Sequence, residues 1–129
     1  MAAAVISVVE TFHGGVCKIK WTWQSSDAGA ASLVTARGYY GQVLALVTDP
    51  DPAGDAPTDN YDITVTDADS YDVMQGAGAN RDTANTETAV PGATSCAFGV
   101  LTINITNAGD TKKGTATLYI KGIPAPLVA

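Results

Sequence analysis

The sequence predicts an all-β domain, a sandwich or barrel of seven to eight short antiparallel strands. Two observations lead to this fold class: apolar and polar residues alternate over short stretches, and clusters of turn residues separate those stretches. Helical periodicity is nearly absent. With 129 residues, 46% of them hydrophobic and 16% charged, the chain is long and apolar enough for one packed core. We therefore expect a single domain over residues 1–129.

The clearest strand covers residues 16–23. Its odd-numbered positions hold Cys17, Ile19, Trp21 and Trp23, and its even-numbered positions hold lysines and a threonine. Since successive side chains of a strand point to opposite faces, the alternation predicts that these four side chains face the core. The two tryptophans are accordingly expected in the core rather than on an exposed platform for stacking sugars.

Two later regions each contain a pair of alternating segments joined by a turn, which predicts two hairpins. The first covers residues 61–74, with its turn at residues 67–70. The second covers residues 99–120, with its turn at residues 107–110.

The remaining strands are expected at residues 5–11 and 39–48, while the alanine-rich residues 28–37 fit either a strand or a short helix. Residues 1–12 and 121–129 are candidate extended arms. Two prolines near the C-terminus exclude a central strand there, so that end should form an arm or an edge segment.

The overall charge disfavours several partners. The formal charge of −6 and the pI of about 4.3 remove the phosphate attraction on which nucleic-acid binding depends, so we expect no direct contact with DNA or RNA. The first residues are apolar, but they lack a positive leader and are too few to cross a bilayer, so we expect neither a signal peptide nor a membrane anchor. Cys17 and Cys96 could form one disulfide, although two buried thiols are the preferred interpretation.

Few residues could carry chemistry. His13 is the only histidine, and beside two glycines it fits an ordinary turn better than a base for Cys17. The acidic residues Asp67, Asp69 and Asp72 have a spacing that calcium can use, but Asp is also a standard turn residue. Turn formation is the preferred interpretation, with a structural calcium ion as the lesser alternative. The sequence predicts neither a catalytic residue nor a cofactor.

Three segments, residues 57–69, 76–87 and 99–109, resemble small virion structural proteins of tailed bacteriophages. The resemblance extends over roughly residues 40–120. It implies a β-sandwich or jelly-roll-like protein that attaches to an assembled particle, most simply as a capsid decoration or cement protein. It implies a location on the capsid surface after synthesis in the host cytoplasm, although it does not separate head from tail.

The implied partner is the major capsid protein, and a homotrimer is the preferred assembly because decoration proteins often sit at local symmetry axes. In the long loop, the expected contact residues are Asn80, Arg81 and Asp82, with Arg81 as a bidentate anchor. The others lie in the C-terminal arm: Ile123, Pro124 and Leu127. Residues 2–9 could also add a strand to the edge of a partner's sheet.

Two alternatives stay open. A carbohydrate-binding or host-attachment module, as a tail or head fibre component, would show a cluster of exposed aromatic rings. A hydrolase would show a cleft that holds a carboxylate or thiol with a perturbed pKa.

Overall fold

The computed structural model describes the main chain of residues 3–127 and the side chains of residues 3–122. These residues form an all-β fold of seven antiparallel strands in one sheet of order β1-β2-β7-β3-β6-β4, with β5 paired to β3. The strands are β1 (Val5–His13), β2 (Val16–Gln24), β3 (Ala31–Pro50), β4 (Asp62–Thr66), β5 (Glu87–Ala89), β6 (Cys96–Thr106) and β7 (Lys113–Leu127). Residues 3–127 contain no helix that is long and apolar enough to cross a membrane.

The sheet folds over itself into two layers, which gives the predicted sandwich. Four strand spacings separate β2 from β4, a distance of about 19 Å in a flat sheet. The ring of Trp23 in β2 nevertheless lies 5.7 Å, between centroids, from the ring of Tyr61, the residue before β4. The two ends of the sheet therefore pack face to face.

Strand β3 connects the two layers. It runs for 20 residues, and its first part pairs with β6 from Ala31 to Gln42 while β7 pairs with it from Arg37 to Pro50. The pairing register shifts at three places along β3, and such bulges bend and twist a strand. Residues 28–37 thus contribute to a strand rather than a helix, and the two longest strands, β3 and β7, are not the short ones that the sequence predicted.

The predicted inner face of β2 is confirmed, because Cys17, Ile19, Trp21 and Trp23 are each at most 1% exposed. The large side chains that complete the core come from the other strands and from the segments just before and after β4. They are Tyr39, Leu46, Tyr61, Ile63, Met74, Leu101, Ile103, Ile105 and Leu118.

The second predicted hairpin is wrong. Strands β6 and β7 do follow each other through a short turn, but β3 lies between them in the sheet. The chain crosses from one layer to the other between β6 and β7. The alternating pattern of two consecutive strands does not distinguish such a crossing from a hairpin. In the first predicted hairpin, residues 71–74 form turns and join β4 through one isolated bridge, Thr66 to Asp72, and the hydrogen bond from Val73 N to Val65 O.

The first and last strands lie near the two ends of the described main chain. Residues 5–13 form β1, which pairs with β2 and is fixed to β3 where Glu10 accepts hydrogen bonds from the Tyr39 hydroxyl at 2.5 Å and the Ala36 amide at 3.1 Å. At the other end, β7 pairs with β2 up to Lys121, and beyond that residue the described register is with β3. The proline-containing end is thus an edge segment, one of the two forms predicted for it.

Candidate functional site

An aromatic pair lies on the outer surface of the sheet. Tyr40 of β3 and Phe98 of β6 are direct cross-strand neighbours, and their rings meet edge to face at a centroid distance of 4.8 Å and an angle of 87°. Tyr40 is 43% exposed and Phe98 is 63% exposed, whereas Tyr39 is fully buried on the opposite face of β3. The Tyr40 hydroxyl lies 3.1 Å from the position that a Cβ at Gly38 would take, so the glycine leaves room for the ring.

Next to this pair, the surface holds a thiol and an amide. Cys96 lies two residues before Phe98 on β6, pairs with Gln42 of β3, and is exposed, as is Gln42. The expectation of two buried thiols is therefore wrong for Cys96. It holds for Cys17, which faces the core, and the two cysteines are not bonded to each other.

Three lysines continue the same surface toward β2. Lys18 and Lys20 point outward from β2, and Lys121 points outward from β7 at the position diagonal to Lys18. Diagonal neighbours on a sheet face are about 7–8 Å apart, so the three ammonium groups share one region. This cluster is not visible in the sequence, because Lys121 is about a hundred residues from the other two lysines.

No carboxylate occupies an outward position next to these lysines within the described residues. Their cross-strand neighbours are neutral side chains on β1 and β7, among them Val9, Thr11 and Tyr119. Two ion pairs of the described residues lie away from these lysines: Arg81 with Glu87, and Lys113 with Asp55. We call the region formed by Tyr40, Phe98, Cys96, Gln42, Lys18, Lys20 and Lys121 the outer face.

The predicted contact residues of the long loop have other roles in the structure. The Nε and Nη2 atoms of Arg81 donate to the carbonyl oxygen of Ala79, Nη1 lies 3.5 Å from Glu87 Oε1, and the side chain is only 15% exposed. Arg81 therefore braces its own loop, and its role as a contact residue stays a prediction. Its main chain forms an isolated bridge with Tyr61, the residue before β4, in which Arg81 N donates to the carbonyl of Tyr61.

The residues on either side of Arg81 also take part in hydrogen bonds that hold the loop in place. Asn80 is exposed, has a positive φ of 58°, and donates its amide to Asp62 Oδ1. Asp82 accepts from the amides of Ala84 and Asn85, and these bonds, led by that of Ala84, lower the pKa of its carboxyl. A contact role for Asn80 and Asp82 stays a prediction.

The predicted contact residues of the C-terminal arm lie in β7. The main chain of Ile123 pairs with Tyr40, that of Pro124 with Tyr39, and that of Leu127 with Arg37. Their side chains lie outside the described residues, so their contact role stays a prediction.

Two of the three acidic residues proposed for calcium, Asp67 and Asp72, cap turns. Asp67 Oδ1 accepts from the amides of Asp69 and Tyr71, while Asp72 accepts from those of Val65, Met74 and Gly76. Within the described part of the chain, no three His, Cys, Asp or Glu side chains come together in a way that could hold a metal ion. The turn interpretation is the one that these hydrogen bonds support.

His13 and Cys17 lie on opposite faces of the sheet. His13 ends β1, pairs with Val16 and is exposed, whereas the Cys17 side chain points inward and its Sγ lies 3.5 Å from the carbonyl oxygen of Gly122. Burial raises the pKa of the Cys17 thiol. This arrangement favours a neutral core thiol rather than an activated nucleophile.

A cleft of about 410 Å³ lies at the far end of the β1-β2-β7 surface. Its lining includes outward side chains of β1, β2 and β7, such as Ser7, Thr22 and Thr115, together with Asp49 and Asp51 from the end of β3 and the residues after it. Both carboxylates already accept hydrogen bonds within the chain, from Thr86 and from the Asp55 amide.

Comparisons with known proteins give no family for this chain. No family model matches it, and no curated protein matches it. A solved structure of carbohydrate-binding modules from the β-sandwich super family aligns with a TM-score of 0.38 and 18% sequence identity. That alignment covers 90% of this chain and 52% of the other, so the chain spans about half the length of the structure it matches.

Proposed function

We propose that this chain is a non-catalytic structural protein of a tailed-phage virion, which docks on the assembled capsid through its outer face. The observation that carries the proposal is the exposed pair of Tyr40 and Phe98. Single exposed apolar side chains are common, whereas adjoining large ones are typical of interaction sites. The resemblance of residues 40–120 to small virion proteins supplies the class of partner.

Docking would work by removing both rings from water. Each square ångström of apolar surface that the capsid covers would contribute about 25 cal/mol, and aromatic side chains are typical centres of binding energy. In the proposed assembly, a homotrimer presents three such faces to neighbouring copies of the major capsid protein. Simultaneous contacts would then hold those copies together with an avidity that one face lacks.

The carbohydrate-binding alternative is favoured by the same exposed rings, which are what a glycan would stack on. The geometry of the pair weakens it. Because the two rings are nearly perpendicular, they do not present one flat platform to a sugar ring. Two further exposed rings of the described residues lie outside the pair: the Tyr71 hydroxyl is within hydrogen-bond distance of Ser95 and Gln75, and Phe12 packs beside the buried Tyr39. Docking on protein is therefore our first proposal.

Co-sedimentation with purified capsids that lack the protein tests this proposal. We expect saturable binding and a capsid that resists heat better when the protein is bound. Phe98→Ala should weaken binding by about thirtyfold, the equivalent of about 2 kcal/mol for a central aromatic residue. Val90→Ala is the matched control, because Val90 is 60% exposed yet lies outside the outer face, and it should bind like the wild type.

Two results would count against the proposal. If the wild type does not sediment with capsids, the virion role is wrong. If the protein is instead retained by a glycan array and Phe98→Ala abolishes retention, the carbohydrate-binding alternative replaces it.

A further inference from the structure

We infer that the outer face recognises an acidic protein surface, which Lys18, Lys20 and Lys121 contact around the aromatic pair. This inference rests on the proposed function and adds the chemistry of the partner. Its basis is the distribution of charge in the fold, which the sequence order conceals.

The protein is acidic, but its charges are segregated. The total formal charge is −6, so the chain without these three lysines carries −9. Apart from Glu10, whose carboxylate is bound by Tyr39 and Ala36, the acidic residues lie in loops, turns and strand ends. The lysines are exposed on the middle of β2 and on β7.

This segregation gives the molecule a preferred orientation toward a negative surface. An acidic partner would be repelled by the rest of the molecule and attracted by the outer face alone. The attraction would bring Tyr40 and Phe98 against the partner, since Tyr40 lies on β3 beside Gln42, the cross-strand neighbour of Lys121. Lysines would thus form the polar rim and the rings the apolar centre, the arrangement that protein interfaces commonly have.

The charge on and around the outer face favours a protein partner over a nucleic acid. Three lysines on a sheet would neutralise few phosphates, and the surrounding charge of −9 would repel a polyanion that extends beyond them. A folded acidic surface that ends at the edge of the outer face avoids that repulsion.

Retention on a polyglutamate-coated resin tests the lysines without any capsid. We expect the wild type to be retained at low ionic strength in spite of its net charge, and Lys18→Glu and Lys121→Glu to elute at roughly fivefold lower salt. The control is Lys112→Glu, which changes the net charge equally in the turn before β7 and should be retained like the wild type. Lys18→Gln should give an intermediate result if the charge, and not a folding defect, is responsible.

Capsid co-sedimentation over a range of salt concentrations supplies the second arm. Binding of the wild type should weaken as salt rises, and Lys18→Glu should bind about fivefold more weakly at low salt with a flatter dependence. Salt-independent binding, or equal binding of Lys18→Glu and Lys112→Glu, would overturn the inference while leaving the proposed function intact. If capsids do not bind at all, the proposed function fails and the resin result alone decides the inference.

Other occupants would be revealed by the same variants. Stronger retention on DNA-cellulose than on polyglutamate would overturn the inference in favour of a nucleic acid. Self-association that is lost in Lys18→Glu and persists in Lys112→Glu would overturn it in favour of a second copy, whose acidic loops would then occupy the face.

Discussion

Replacing Tyr61 by phenylalanine tests whether the two layers of the sheet pack against each other. The Tyr61 ring is fully buried and packs on Trp23 from the other end of the sheet. Its hydroxyl is buried near that of Thr48, and neither hydroxyl makes a well-formed hydrogen bond within the described residues. Removing a hydroxyl of this kind costs little, so we expect Tyr61→Phe to be about as stable as the wild type at neutral pH.

The variant should differ from the wild type in alkali. Burial raises the pKa of Tyr61 to about 12, whereas an unfolded tyrosine has a pKa of about 10. A raised folded-state pKa means that the fold favours the neutral phenol. The stabilisation is therefore complete below about pH 10 and is lost as the pH rises toward 12. By about pH 11 the unfolded state has gained about 1.4 kcal/mol from this one residue.

Urea unfolding of both proteins between about pH 9 and pH 11 measures this difference. The free energy of unfolding should fall with pH in both, because burial and the Glu10 carboxylate also raise the pKa of Tyr39 in both. The wild type should lose about 1.4 kcal/mol more than Tyr61→Phe over that interval. Parallel curves would refute the buried position of Tyr61 and, with it, the folding of the sheet over itself.

Two further predictions concern carboxylate side chains that accept hydrogen bonds from main-chain amides. Glu10→Gln should destabilise the protein by about 1–3 kcal/mol in urea unfolding, because the charged acceptor that joins β1 to Tyr39 and Ala36 is lost; equal stability would show that this link contributes nothing. Asp72→Ala leaves three amides without their carboxylate acceptor and should cost about 1–3 kcal/mol, with faster hydrogen exchange at Met74 and Gly76; unchanged exchange there would contradict the capping role.

The strands could be predicted from the sequence where one face of the strand is buried and the other is exposed to solvent. Residues 16–23 alternate so regularly that the four inward side chains of β2 follow directly from the sequence. The same alternation did not predict the pairing of β6 and β7 correctly, because it identifies the buried face of a strand but not the strand next to it. The pairing partners are fixed by β3, whose 20 residues cross both layers and were predicted as separate segments.

The candidate site was only partly visible in the sequence. Tyr40 lies in the strand predicted for residues 39–48, but its partner Phe98 is 58 positions away and becomes its neighbour only through the pairing of β3 with β6. The lysine cluster likewise needs β2 and β7 side by side. Arg81 was predicted as a bidentate contact residue, and the sequence does not reveal that the carbonyl of Ala79 and the carboxylate of Glu87 lie within reach of its guanidinium.

The central claim, that the outer face docks on the capsid, is tested most directly by the alkylation rate of Cys96. This thiol is exposed two residues from Phe98, while Cys17 is buried and serves as an internal control that should react only on unfolding. We predict that Cys96 reacts quickly in the free protein and that its reaction slows in proportion to the fraction bound to capsids. Equal alkylation rates for free and fully bound protein would contradict the assignment of this face.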